Sequence, residues 1–341
     1  MKLGWIARAA ALAAAAWLLV VPAQAQTKLT VYTPLEQDRI DAYRRQFEAD
    51  VKGIELTVVR DSSAALASRL IAEKDNPRAD VVWGLSGTAL TSLNGLGLLE
   101  PYAPAGLDAV AAPYRDAANP PGWVGMDAHA AVVCFNTAEA EKKKLPAPKT
   151  WKDLVDPRYR NEIAMPSPAA SDTGYMLVAG WLQQMGEEAG WKFMDALHAN
   201  IAVYTQSGSR PCRQAGTGKY AIGLSADGRG AEVKTKGAPI DLIWPSEGLG
   251  WDIEGSAIVK GSKNLEAAQK FLDWNAGPAA TALHAAGSPL LATPRVAPPL
   301  PFMPDDLQGK LIKIDLSWMA QNRERIVAEW TKRYDSKSEP R

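Results

Sequence analysis

Two cysteines in 341 residues are too few for a disulfide framework, and neither Cys134 nor Cys212 belongs to a CxxC pair. Their spacing leaves both a disulfide and two separate buried thiols open. Histidine is scarce too: the three residues His129, His198 and His284 are scattered, which argues against a zinc cluster. The chain has no excess of either charge, with 38 basic and 38 acidic residues, so no overall field recruits nucleic acid or an anionic membrane. A charged partner must be recognised locally. Catalytic signatures are missing as well. Gly84-Leu85-Ser86-Gly87-Thr88 lacks the last glycine of a nucleophile elbow, and there is no HExxH. Gly218-Lys219 is followed by Tyr220, and Arg213 stands where a phosphate-binding loop needs its first glycine. What remains is an ordinary globular composition, 47% hydrophobic and 22% charged, long enough for two compact units.

The only long apolar run is at the start. Lys2 and Arg8 precede an unbroken apolar stretch over residues 9–21, and Ala23-Gln24-Ala25 is the small-x-small pattern of a signal-peptidase site. Residues 1–25 therefore read as a signal peptide cleaved after Ala25, giving an exported, periplasmic chain. The run falls short of the roughly 20 residues of a spanning helix, and no later stretch reaches that length, so no stable membrane insertion is expected. No cysteine follows the small residues to carry a lipid anchor.

Beyond residue 25, strand and helix signals alternate. Residues 28–32 read as a strand; Ile40, Tyr43, Phe47 and Val51 recur at helical spacing. Residues 54–58 alternate as a half-buried strand, Leu66, Leu70 and Ile71 mark a second helix, and residues 79–83 a third strand. This βαβαβ order predicts a parallel sheet covered by helices, whose ligands bind at the carboxyl ends of the strands. A second unit of the same kind follows, with strands at 163–165, 201–204 and 220–224, helices at 173–185 and through Trp191, Met194 and Leu197, and a short helix from about Ser209. Residues 118–125 are rich in Pro and Gly and lead into the apolar run 130–135. Residues 257–260 and a helix carrying Leu265, Ala268, Phe271 and Leu272 on one face return to the first unit. Two chain crossings are expected, near residues 126 and 255. Residues 292–304, with five prolines, form an irregular connection, and Met319, Ile326 and Trp330 predict a last helix.

The chemistry concentrates in strand-to-helix loops. Ser171, Thr173 and Gly174 open a helix, where hydroxyls and free N–H groups can meet an anion; the same residue types also serve as ordinary helix caps. Ser207, Ser209 and Arg210 follow the next strand, and Asp61-Ser62-Ser63 and Gly84-Leu85-Ser86-Gly87 take equivalent places in the first unit. Four such loops suggest one polar cleft between two lobes. Trp83, Trp244 and Trp251, at predicted strand ends or loops, offer rings that would suit an organic cation.

These residues resemble the substrate-binding proteins of ABC importers, in the branch that includes the ferric-ion-binding proteins. The resemblance rests on Leu29-Thr30-Val31-Tyr32-Thr33, Ala79-Asp80-Val81-Val82-Trp83, PKTWKDLVDPRY at 148–159, Ser171-Asp172-Thr173-Gly174, GKYAIGL at 218–224 and NLEAAQKFL at 264–272. It covers nearly the whole mature chain. It implies an α/β, two-lobed periplasmic-binding-protein (type 2) fold with the ligand between the lobes: residues 26–126 in lobe I, 127–255 in lobe II, and 256–341 returning to lobe I with the C-terminal helices. The iron binders carry adjacent tyrosines where this chain reads Ser225-Ala226-Asp227-Gly228-Arg229, which argues against ferric binding. PSEGLGWDIEG at 245–255, followed by Asp273-Trp274, is similar to the group that binds 2-aminoethylphosphonate.

The implied function is a non-catalytic receptor, without cofactor or metal and expected as a monomer, that hands a small zwitterionic phosphonate to permease subunits. Its implied ligand-binding residues are Tyr32, Thr33, Glu36, Ser62, Ser63, Trp83, Ser171, Thr173, Gly174, Ser207, Ser209, Arg210, Asp227, Trp251 and Glu254, with Asp227, Glu254 or Glu36 taking the ammonium. The alternatives are another small organic anion, a polyamine or ferric ion, and, outside the class, an exported enzyme or a structural subunit.

Overall fold

The computed structural model describes residues 26–294 and 298–340. The expected signal peptide and part of the proline-rich connection lie outside the described residues. The chain opens with β1 (Thr27–Thr33), α1 (Gln37–Asp50), β2 (Ile54–Arg60), α2 (Ser63–Ala72), β3 (Val81–Ser86) and α3 (Gly87–Gly95), then the short β4 (Leu99–Glu100). β1 lies between β2 and β3 and is parallel to both, as the βαβαβ order requires. Alternation along β1 sends Leu29 and Val31 to one face and Tyr32 to the other.

Next comes β5 (Val124–Asn136), the longest strand, which runs through both sheets. Its first half pairs antiparallel with β10 (Trp251–Val259), and its second half pairs with β8 (Ile222–Ala226) and β9 (Ile240–Ile243). α4 (Thr137–Lys143) leads to β6 (Ile163–Pro166), α5 (Asp172–Met185), α6 (Glu187–His198), β7 (Ile201–Thr205), α7 (Arg210–Gly216), β8 and α8 (Asp227–Thr235). β6 is parallel to β7 and β8. β10 then crosses back to pair with β3 and β4. It is followed by α9 (Leu265–Asn275), α10 (Pro278–Gly287), β11 (Leu290–Leu291) and α11 (Leu316–Tyr334). The chain passes between the two sheets at β5 and again before β10, and the register of these two strands sets Asp127 opposite Glu254. α9 packs on β1 and β10, and α10 on α1, whereas α11 leans on both α3 and α5.

Several local expectations shift. β3 runs on to Ser86, so Trp83 is an interior strand residue rather than an end. Alternation sends it into an aromatic core, fully buried, with Tyr43 at 5.0 Å and Phe271 at 5.7 Å between ring centres. Ile71 and Leu265, expected on buried faces, are exposed. Ile71 lies about 100° or more around the helix from the buried Leu66 and Leu70, whereas Leu265 shares a face with Leu272 but is the first residue of α9. The cysteines pair: Cys134 of β5 and Cys212 of α7 form a disulfide, with Cα atoms 5.4 Å apart in a buried apolar cluster.

Candidate functional site

The carboxyl ends of β1, β2, β3, β6, β7 and β8 and the middles of β5 and β10 surround a cavity of about 350 Å³. Nine of the residues proposed from sequence line it: Glu36, Ser62, Ser63, Ser171, Thr173, Ser207, Ser209, Asp227 and Glu254. Ser62 caps α2 by accepting the Ala65 N–H at 3.3 Å. The hydroxyls of Ser171 and Thr173, in contrast, make no hydrogen bond to another described residue, so they are not spent on capping α5. Gly208 is what lets the two hydroxyl loops meet, because a Cβ there would collide with Thr173 Oγ1 and Ser171 Oγ.

Six proposed residues lie elsewhere. Tyr32 is buried in the core, and its hydroxyl donates to Glu73 at 3.0 Å. Thr33 is buried and accepts the Leu35 N–H in the turn after β1. Trp83 belongs to the aromatic core. Gly174 faces the backbone of Pro166 and Ser167; a Cβ would come within 2.6 Å of Pro166 O, so its role is close packing of α5 on that loop. Arg210 points away from the cavity to Glu339. Trp251 starts β10 and donates its indole N–H to Ile312 O at 2.9 Å, packed near Tyr114. Trp244 packs against apolar clusters.

The cavity also holds groups that sequence reasoning missed, above all Arg39, Arg60, Asp127, His129, Asp172 and Arg229. Arg39 sits in the first turn of α1, where a cation opposes the helix dipole; that misplacement was a readable signal. Its guanidinium donates to Glu254 Oε2 at 3.0 Å and lies 3.5 Å from Asp127 Oδ2. Asp127 and His129 occupy alternate positions of an otherwise apolar strand, so both face one side. Burial, reinforced by Glu254 alongside, pushes the Asp127 carboxyl well above the usual range. Burial acts in the same sense on Glu254, but Arg39, His129 and Arg229 outweigh it and hold Glu254 low. The two carboxyls that the crossing strands set side by side are thus driven in opposite directions.

The other acids differ in what remains free. Glu36 accepts from Arg60 at 2.8 Å and from the Ser209 hydroxyl at 2.7 Å, joining the two walls at the cavity rim. Asp227 accepts the Ala130 and Gly228 N–H groups, at 3.1 and 2.7 Å, and burial raises it to about 7. Asp172 accepts from Arg323 of α11 at 2.7 Å through Oδ1, while its buried Oδ2 has no partner. Arg39 Nε and His129 Nδ1 are likewise buried and unpaired. Burial also lowers His129, against the opposing pull of Glu254 and Asp172. Among the described residues, no group of three or more His, Cys, Asp or Glu side chains is arranged to hold a metal ion.

A polar cavity between two sheets joined by crossing strands is the architecture of a solute receptor, and the comparisons with known proteins agree. Residues 76–303 match the family model of bacterial extracellular solute-binding proteins, and the chain belongs to that family. A probable ABC transporter periplasmic-binding protein, y4fP of Sinorhizobium fredii, is 31% identical over 281 residues, 80% of this chain and 75% of its own length. The Fe(3+)-binding periplasmic protein of Serratia marcescens is 25% identical over 279 residues, 78% of this chain and 80% of its own. Among solved structures, the periplasmic binding protein AfuA from Actinobacillus pleuropneumoniae, with exogenous fructose-6-phosphate bound, matches with a TM-score of 0.84 and 28% identity. That match covers 91% of this chain and 99% of the other. The chain is a periplasmic solute-binding protein of the ABC-importer type, with the two-lobed type 2 fold; its homologues are transport proteins rather than enzymes, and permease subunits are the partners expected of the family.

Proposed function

We propose that the cavity binds a small zwitterionic phosphonate, 2-aminoethylphosphonate, which the mature chain, cleaved after Ala25, delivers to its permease. The observation that carries this reading is the composition of the cavity wall. Arg60 and the hydroxyls of Ser62, Ser63, Ser171 and Thr173 supply donors for a doubly charged tetrahedral anion, while Glu254 and Asp172 supply carboxylate oxygens for an ammonium. A desolvated ammonium needs such a partner, because an unpaired buried charge costs several kcal/mol. Glu36 is a poor amine receptor since it already faces Arg60 and Ser209, and Asp227 is poor since two backbone N–H groups take its oxygens. Ligand bonds made from both walls would favour lobe closure.

A phosphorylated sugar is the second reading. It is favoured by the fructose-6-phosphate bound to the AfuA relative and by a cavity of about 350 Å³, roomy for so small a phosphonate. Thermal denaturation of the mature chain with 2-aminoethylphosphonate, fructose 6-phosphate and ferric ion tests these readings. A ligand that binds only the native state at 100 times its Kd adds about 2.7 kcal/mol. We expect saturable stabilisation by the phosphonate; tight iron binding without phosphonate binding would overturn the proposal.

A further inference from the structure

The loop carrying Ser207, Gly208 and Ser209 is gripped from outside the cavity by Glu339, which is 133 residues from Gln206. After α11, Ser338 forms a parallel bridge with Tyr204 on β7, and the Glu339 N–H donates to Tyr204 O at 2.9 Å. The Glu339 carboxylate accepts the Gln206 N–H at 3.4 Å and the Arg210 guanidinium at 2.5 Å; the Gln206 side-chain amide donates to Glu339 O at 2.9 Å. One acid thus fixes both ends of the loop. The loop's middle is fixed from the other side, where Ser225 Oγ donates to Gly208 O at 2.6 Å and Thr205 Oγ1 donates to Ser207 O at 2.8 Å. Arg210 is exposed on its outer side and does not line the cavity, so its pairing with Glu339 serves the loop's geometry.

We infer that Glu339 is a positioning residue for the ligand site, holding residues 206–210 so that the Ser207 and Ser209 hydroxyls face the cavity. The inference rests on the reading of that cavity as an anion site. Without the carboxylate, the loop ends lose two hydrogen bonds, from the Gln206 N–H and the Arg210 guanidinium, and ligand binding must then order them.

The test uses the full mature chain, with inorganic phosphate and 2-aminoethylphosphonate as probes and amide hydrogen exchange measured without ligand. Glu339→Ala should speed exchange at residues 206–209 and weaken both probes about tenfold, the effect of freeing one or two side chains and their loop. Glu339→Gln keeps an acceptor for Gln206 and Arg210 and should recover most of the affinity, which general destabilisation would not produce. Arg210→Ala should mimic Glu339→Ala, and the double variant should lose less than the sum of the two. Unchanged affinity in Glu339→Ala, with or without faster exchange, overturns the inference. A parent chain that binds neither probe refutes the anion reading instead, and the exchange measurement then decides the clasp alone.

Discussion

The two walls of the cavity solve the same problem by different means. The wall built on the first sheet presents charged side chains, Arg39, Arg60 and Glu36, each already held by an opposite charge. The wall built on the second sheet presents hydroxyls at loop positions, Ser171, Thr173, Ser207 and Ser209, placed by close backbone approach at Gly174 and Gly208. Paired charges in a buried setting bind strongly to one another, so altering them disturbs the fold first. The Ser171 and Thr173 hydroxyls, which neither cap a helix nor bond a neighbour, can be removed at the cost of binding alone. The contrast teaches which residues a mutational scan will report as structural and which as ligand-binding.

Arg39→Ala should break the first wall. It leaves the ionised Glu254 buried without its main partner, a loss of about 3–5 kcal/mol measurable by denaturant unfolding. If the variant is as stable as its parent, the wall does not depend on its ion pairs. Removing the Cys134–Cys212 link by paired Ala substitutions should cost the second wall about 2–5 kcal/mol, because it closes a long loop and anchors α7 behind Ser207–Ser209. Thermal melting of the oxidised and double-Ala chains decides this.

Ser171→Ala with Thr173→Ala sharpens the comparison. Affinity for 2-aminoethylphosphonate should fall by about 1.5–3 kcal/mol per lost hydrogen bond to the charged group, with little change in melting. The same affinity paired with a much lower melting temperature would make the motif a helix cap after all.

The most gradual effect, smallest per step, concerns Asp252, which sits on β10 behind the cavity and accepts from the Thr88 hydroxyl at 2.7 Å. Burial raises it to about 7, above its unfolded value near 4. Between those values the native state keeps a proton that the unfolded state has released, so stability falls as pH rises from about 4 to 7, by at most about 1.4 kcal/mol per pH unit. Asp252→Asn imitates the protonated acid and should flatten that slope and hold stability at pH 8. Denaturant titrations at several pH values check this: the slope should shrink by the share of Asp252 and keep the part owed to Asp127 and Asp227, and an unchanged slope means that Asp252 is not a source.

Legibility from sequence followed the range of the interactions. Strand and helix periods were readable along β1, α1 and α11, because burial of one face repeats every two or 3.6 residues. The hydroxyl loops were readable too, since a strand, a turn and a helix start lie within ten residues of each other. Trp83 was misplaced because the end of β3 depends on pairing with β10, some 170 residues later. Ile71 was misplaced because a few apolar residues define a stripe less sharply than the packed neighbour does, and Leu265 because it stands at the very start of α9.

By itself the sequence determined an α/β chain of two units with polar, serine-rich openings at its helices, since local steric and hydrophobic patterns suffice for that. It did not decide which cysteines meet, which acids stay ionised or which cations reach the cavity. Those followed only when β5 and β10 crossed and set Asp127 against Glu254 beneath Arg39, and when α11 brought Arg323 to Asp172. The physical reason is that charge state and pairing depend on burial and on partners far away in the chain, and neither is encoded in spacing along it.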